Sequence, residues 1–263
     1  MPVSNNTSNS VYRRPRRGAG IGIILALALG PSVAAADEPP PDLAQRAARR
    51  ATETRCAREN YTYRQTFTEE TLTASGARSG EYREVRDVIF LPGGERTEVI
   101  IGKPLNTLKN LKLTDEDFQD MREVQPFLFD SEQLWLYETR PKGEETIDGV
   151  DCWLLEVRPR QILAGQRLFQ GLLWVSKKDF SIVRTEGKAV PDMRSMRMEK
   201  ENLFPHFTTL WAPVDGNYRF PVYTYADDTL DFRLGPQRIR LTIRYTNYRR
   251  FTTESTIRYE EKK

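Results

Sequence analysis

Apolar and polar residues alternate along much of the chain. In the clearest stretch, Ile239, Leu241, Ile243 and Tyr245 are separated by single charged or polar residues. Because successive side chains of a β-strand point to opposite faces, this period of two predicts a strand with one buried and one solvated face. Alternation and β-forming composition together predict strands at residues 60–73, 81–91, 95–102, 133–146, 150–158, 168–176, 180–188, 206–214, 218–226, 238–246 and 255–260.

Short turn sequences separate several of these predicted strands. Asp148-Gly149 is a strong hairpin signal, and Pro92–Gly94, Lys177–Asp179 and Asp215–Asn217 are further short turns. Hairpins make neighbouring strands antiparallel, so the chain is expected to be mainly β, with about ten or eleven strands. A sheet of this size is unfavourable when flat. We therefore expect a large curled antiparallel sheet with helices against its concave side.

Two segments have helical spacing instead. Between Asp42, a plausible N-cap, and about Arg58, apolar or small residues recur every three to four positions. At residues 114–125, Thr114 opens a capping-box-like start, and Pro126 ends the helical pattern. This second helix places Phe118 and Met121 on one face. Two roles are open for it, packing in the core, which is favoured, and covering a ligand as a lid or plug.

The first residues have the three parts of a secretory signal peptide. Four arginines at positions 13, 14, 16 and 17 precede an apolar run at residues 18–30, and Ala34–Ala36 offers a cleavage site after Ala36. The paired arginines leave twin-arginine export open, but an ordinary positive segment is favoured. We expect export to the periplasm, then a Pro-rich spacer at residues 37–41 and one domain at residues 42–263. No cysteine follows the cleavage site, so a lipid anchor is not predicted.

Cleavage changes the charge of the chain. The whole sequence has 40 Lys+Arg against 37 Asp+Glu, a net charge of +3. Residues 1–36 contain four arginines and no acid, so the mature chain has a net charge of −1. Nucleic-acid binding inferred from charge is thereby excluded, because it needs a basic surface that remains after export. The mature part also lacks a second apolar run long enough to span a membrane, so we expect it to be soluble.

The chain offers little of the chemistry that common enzyme classes need. His206 is the only histidine, no clustered ligand spacing predicts a metal site, and no phosphate-binding loop or nucleophile elbow is present. Asp227-Asp228 is the most obvious carboxylate pair, and a solvated turn is favoured there over a glycosidase site. We predict no catalytic, cofactor or metal residue, and a protein that is not an enzyme.

The two cysteines, Cys56 and Cys152, are far apart in the sequence. Export to an oxidising compartment permits a disulfide between them. Two separately buried thiols is the favoured alternative.

Aromatic residues provide the positive signal for a binding site. All four tryptophans fall in or beside predicted strands, where they either line an apolar pocket or, as we favour, fill a core. The candidate ligand-lining residues are Phe118, Met121, Phe127, Phe129, Trp135, Tyr137, Trp153, Leu155, Trp174, Phe180, Trp211 and Tyr223.

Several stretches resemble a group of exported bacterial proteins known as outer-membrane lipoprotein-sorting proteins, of the LolA/LolB-like superfamily. The stretches are Leu113–Phe118, Glu123–Phe127, Leu168–Val175, Asp179–Val183, Asn202–Pro205, Phe220-Pro221, Tyr223–Asp228 and Arg244–Tyr248. The resemblance covers roughly residues 43–260. It implies a half-open antiparallel β-barrel with helices as a lid. Members of the superfamily include carriers of lipoprotein acyl chains, regulators that sense lipoproteins or lipopolysaccharide, and at least one enzyme.

The sequence and the resemblance together favour a periplasmic carrier or binder of lipid or lipoprotein acyl chains, involved in outer-membrane lipoprotein sorting. The first alternative is a regulatory or scaffold protein that binds another envelope protein, with Arg238, Arg240 and Arg244 as a row for an acidic partner. An enzyme on the same scaffold is the second alternative. The resemblance transfers no functional residue to a position of this chain.

Overall fold

The computed structural model describes residues 37–91, 94–109, 111–124, 126–127, 129–161, 168–190, 205–232 and 235–251. The predicted signal peptide with its cleavage after Ala36 and the predicted strand at residues 255–260 lie outside the described residues. The described residues from Pro39 onward belong to one compact unit. The elements are α1 Leu43–Arg58, β1 Tyr61–Leu72, β2 Arg78–Phe90, β3 Arg96–Ile100, β4 Leu105–Asn106, α2 Asp115–Glu123, a 3-10 turn Leu134–Leu136, β5 Tyr137–Ile147, β6 Val150–Pro159, β7 Leu168–Ser176, β8 Ile182–Val190, β9 Phe207–Pro213, β10 Arg219–Phe232 and β11 Gly235–Arg250.

All the described strands belong to one antiparallel sheet. Its order is β3-β2-β1-β11-β10-β9-β8-β7-β6-β5, with the short β4 also paired to β2. Most paired strands are consecutive in the chain. The exceptions are the β2–β4 pair and the β1–β11 pair, in which Phe67 lies opposite Ile243. The sheet does not close into a barrel. The predicted fold class, a curled antiparallel sheet that forms a half-open barrel, is confirmed.

Helix α1 packs on the inner face through small side chains. Leu43, Ala47, Ala48 and Ala51 are each at most 3% exposed, so the helix lies close to the strands. The predicted start is confirmed by position, because Asp42 is the N-cap residue. Its carboxylate does not cap the helix, however, and instead accepts a hydrogen bond from Arg46 Nε at 2.9 Å.

Two predicted boundaries were wrong for local reasons. The strand expected to begin at residue 133 begins at Tyr137, because Asp130 Oδ1 accepts the backbone N–H groups of Glu132 and Gln133 and turns the chain into a 3-10 helix. Strand β10 continues past residue 226 to Phe232. Asp227 therefore lies in a strand and not in a turn, since it sits opposite Arg240 and the opposite charges stabilise the pair.

The sheet buries most of its apolar side chains on the inner face. In β1, every second residue from Tyr61 to Thr71 is buried. The outer face carries a smaller cluster around Cys152, Trp174 and Val183. The inner face is therefore the surface on which helices, and any ligand, pack.

Candidate functional site

The candidate site is the inner face of the sheet beneath α2. The floor comes from five strands and includes Phe67 of β1, Leu241 of β11, Leu230 of β10, Phe207 of β9 and Ala189 of β8. The roof includes Met121 of α2 and Val124, the residue directly after α2. The cavity between floor and roof encloses about 50 Å³. That volume holds a few water molecules, and an acyl chain needs more space.

Helix α2 is held in place by its cap and by a small apolar face. The backbone N–H of Thr114 donates to Asp117 Oδ2 at 2.7 Å, which confirms the predicted capping box. Met121 and Val124 are each 3% exposed beneath the helix. An isolated helix of nine residues is marginal in water, so the position of α2 depends on the burial of these side chains.

Aromatic contacts tie both ends of α2 to the sheet. After the helix, Phe127 stacks on Phe169 of β7 with ring centroids 4.5 Å apart and meets Tyr137 of β5 edge-on at 5.7 Å. Within the helix, Phe118 packs edge-on against Tyr82 of β2 at 6.0 Å. These contacts fix where the chain enters and leaves the lid position, while Met121 packs beneath the middle of α2.

A buried carboxyl group lies inside the cavity. Glu69 of β1 points to the inner face and is 7% exposed. Burial, and to a smaller extent the nearby charge of Asp117, raises the pKa of Glu69 to about 8. Lys112 and Asp120 line the same cavity. Glu69 is therefore protonated at neutral pH, and the floor beneath α2 is uncharged at this position.

The structure brings nine of the twelve predicted ligand-lining residues into the inner core. They are Phe118, Met121, Phe127, Phe129, Tyr137, Trp153, Leu155, Phe180 and Trp211. Only Met121 of this set lines the cavity beneath α2. The others pack around it as the supporting core, and whether any of them contacts a ligand stays a prediction.

The remaining three predicted residues lie elsewhere. Trp135 is 66% exposed in the 3-10 turn. Trp174 belongs to the outer cluster, where its Nε1 donates to Glu145 Oε2 at 2.8 Å. Tyr223 stacks beside Tyr225 with Arg244 over its ring at 5.3 Å. Aromatic character alone does not distinguish the two faces of a strand, so composition does not show that these three residues lie apart from the inner core, and a ligand contact at any of them stays a prediction.

Sequence reasoning missed most of the cavity floor. Phe67, Ala189, Phe207 and Leu230 were not among the predicted site residues, although their strands were predicted. The alternation in β11 assigns Leu241 to a buried face, but the neighbours of that face come from long-range strand pairing. The sequence therefore showed which residues of one strand share a face, but it did not show which strands lie next to one another.

The cysteines and the histidine lie in separate parts of the fold. Cys56 is exposed in α1 and Cys152 is buried in the outer cluster, so both are free thiols, and the expectation that both are buried was wrong for Cys56. Burial raises the pKa of Cys152 to about 11. His206 is exposed, and its backbone N–H donates to Asp228. Within the described ranges, no three His, Cys, Asp or Glu side chains are grouped so that they could hold a metal ion.

The two edges of the sheet differ in their protection. Strand β5 carries Pro141 and a bulge between Pro141 and Gly143, and most of its residues are exposed and polar, features that discourage pairing with another chain. Around β3 and β4, exposed apolar side chains are instead concentrated, namely Leu91, Val99, Ile100, Ile101 and Leu105.

On the outer face, Asp227 forms ion pairs with Arg238 and Arg240, so the predicted arginine row is largely neutralised.

The comparisons concern the fold. No protein-family model matches the chain, and no curated protein matches its sequence. Among solved structures, the chain is similar to a LolA superfamily protein from Nitrosomonas europaea, with 15% identity and a TM-score of 0.39 over 80% of this chain and 94% of that one. It is also similar to a putative outer membrane lipoprotein-sorting protein domain from Vibrio parahaemolyticus, with 11% identity and a TM-score of 0.36 over 78% and 92%.

A third similar structure is the MucA/MucB complex of Pseudomonas aeruginosa, with 12% identity and a TM-score of 0.24 over 81% of this chain and 100% of that one. The first two similar proteins carry the names of the group that the sequence resembles. None of the helices in the described part of the chain is long and apolar enough to cross a membrane.

Proposed function

We propose that this protein binds the acyl chain of a lipid or a lipidated protein in the periplasm, as a carrier or a binder without catalytic activity. The observation that carries the proposal is the apolar floor beneath α2, which is roofed by one short helix. With α2 closed over the floor, the cavity is too small for an acyl chain. The ligand therefore takes the place of the apolar face of α2, and the helix moves aside.

The free energy that holds α2 in the closed position is similar in size to the free energy gained by burying an acyl chain. Burying Met121 and Val124 stabilises the closed position by about 1.5–3 kcal/mol for each side chain. An acyl chain contributes about 0.8 kcal/mol for each CH₂ group that it removes from water. Roughly four to eight buried CH₂ groups thus offset the displacement of α2. Chains of that length or longer are the expected ligands, and short apolar molecules are not.

Substitution of Ala189 by leucine tests the site. The larger side chain fills part of the floor and displaces about two CH₂ groups of a bound chain, so we expect affinity for a fatty acid to fall about tenfold. Binding of dansyl-labelled undecanoic acid, followed by fluorescence, measures the change. The protein is used without its predicted signal peptide.

The matched control is Lys188→Leu. Lys188 is the exposed neighbour of Ala189 on β8 and points to the opposite face, so the same new side chain is added outside the cavity. We expect K188L to bind the probe as tightly as the wild type. If A189L, folded by circular dichroism, also bound as tightly, the ligand would not lie beneath α2.

One observation favours a second candidate function, the binding of another envelope protein. The unprotected edge at β3 fits an extended segment of a partner, which would add a strand to the sheet. A photo-crosslinking residue at Val99 should capture one reproducible partner in cells, whereas the same residue at Lys142 on the protected edge should capture none. Equal recovery from both positions would argue against a dedicated edge.

A further inference from the structure

Three arginines from three separate elements meet at one opening on the inner side. Arg58 comes from the last turn of α1, Arg96 from the start of β3, and Arg122 from the last turn of α2. Together with Phe90 and Glu98 they line an open cavity of about 510 Å³. Three guanidinium groups face one carboxylate, so the lining carries a net charge of +2.

The charges at this opening are incompletely paired. Arg96 contacts Glu98 at 2.7 Å, but Glu98 is shared with Arg86, which lies 2.6 Å from its other oxygen. Among the residues that the structure describes, neither Arg58 nor Arg122 forms an ion pair. The Nε and Nη1 atoms of Arg58 are buried without a hydrogen-bond acceptor. Burial of an unpaired cation is unfavourable, so this arrangement favours a bound anion.

The opening and the apolar site are linked by a recess that shares lining residues with each of them. This recess of about 290 Å³ is lined by Arg58, Arg122, Phe127 and Val124, among others. Val124 also lines the cavity beneath α2. A molecule with its chain beneath α2 would therefore place a polar head group beside Arg58 and Arg122.

The helix dipole does not explain the whole cluster. The C-terminal end of α1 attracts cations, which accounts for Arg55 and Arg58 as residue types. Arg55 is already paired with Asp130 and Glu132. Arg96, however, lies at the start of a strand, so its presence beside Arg58 and Arg122 has no such cause.

We propose that Arg58, Arg96 and Arg122 bind a phosphate group, such as the head group of the ligand whose chain lies beneath α2. This inference rests on the proposed function for the position of the chain. A phosphate offers several acceptor oxygens and up to two negative charges, which match three guanidinium groups with a net charge of +2. A carboxylate is satisfied by one bidentate arginine and leaves the others unpaired.

Isothermal titration calorimetry of the mature protein tests the proposal with three probes, inorganic phosphate, dodecyl phosphate and dodecyl maltoside, the last two below their micellar concentrations. The variant is R58Q/R122Q, chosen because neither arginine forms an ion pair whose loss would unfold the protein. The control is R83Q/R140Q, which removes the same charge from two exposed positions.

We expect the wild type to bind dodecyl phosphate more tightly than dodecyl maltoside, and R58Q/R122Q to lose roughly 10- to 100-fold in affinity for dodecyl phosphate only. R83Q/R140Q should bind like the wild type. Inorganic phosphate that binds with the same dependence on Arg58 and Arg122, with no gain from the dodecyl chain, would support the anion site and identify free phosphate as its source.

Two results overturn the proposal. If both dodecyl compounds bind equally and R58Q/R122Q changes neither, the arginines do not bind phosphate, while the proposed acyl site stands. If no probe binds, the acyl site fails as well. If inorganic phosphate binds but neither dodecyl compound does, the acyl site fails. The anion site is then supported if R58Q/R122Q abolishes the binding of inorganic phosphate.

Discussion

Replacing Gly187 with alanine is expected to lower the free energy of unfolding by about 3 kcal/mol. Gly187 of β8 lies directly opposite Gly171 of β7, and the ring of Phe169 covers the pair. A Cβ atom at position 187 would lie 2.2 Å from the carbonyl oxygen of Gln170 and 2.8 Å from the Phe169 ring. Both strands must therefore shift. Phe169 also stacks on Phe127, so the shift reaches the chain that follows α2.

Urea denaturation of the mature protein measures this loss, with Gly143→Ala as the control. Gly143 has a φ of +124° and no atom within 4 Å of an added Cβ, so its substitution strains the backbone without a clash. We expect G143A to cost about 1 kcal/mol. A G187A protein no less stable than G143A would mean that the β7–β8 pair has space that the structure does not show.

Glu69→Gln is expected to stabilise the protein by about 3 kcal/mol at pH 7. The pKa of Glu69 rises from an ordinary value of 4.5 to about 8 in the folded state, because the carboxyl group is buried and lies near Asp117. The folded state then binds a proton that the unfolded state releases. Stability should be highest below pH 4.5, fall as the pH rises towards 8, and level off above it. Glutamine has no proton to lose, so this fall should disappear.

Unfolding free energies between pH 5 and pH 8 test this expectation, with Glu70→Gln as the control. Glu70 is the next residue on β1, points to the opposite face and contacts Arg78 and Arg240. E70Q should keep the fall in stability with pH. If E69Q keeps it as well, another group is responsible for the pH dependence, and the floor beneath α2 is more polar than the geometry indicates.

The sequence predicted local structure well where one short stretch contains the whole signal. The alternation in β11 and the capping box of α2 are examples. So is the hairpin at Asp148-Gly149, where both residues have positive φ and Ile147 pairs with Val150. In each case the physical cause lies within a few residues. The resemblance added the half-open sheet, which local patterns do not specify.

The candidate site was less predictable because it depends on long-range pairing. Phe67 and Leu241 share the floor only because β1 pairs with β11, across about 170 residues of the chain. Trp174 and Trp153 lie on different faces, although both are aromatic residues in predicted strands. Parity within a strand was visible in the sequence. The sequence did not show which face of each strand lies on the concave side of the sheet, since the order of the strands determines that face.

Native mass spectrometry of the protein, released gently from the compartment of its proposed function, the periplasm, is the sharpest test of acyl-chain binding. We expect a fraction of the protein to have added mass, which lipid extraction identifies as one or more acyl-chain compounds. The apo fraction should also take up such compounds from micelles. If the released protein has only its apo mass and takes up no lipid from micelles, it does not bind acyl chains.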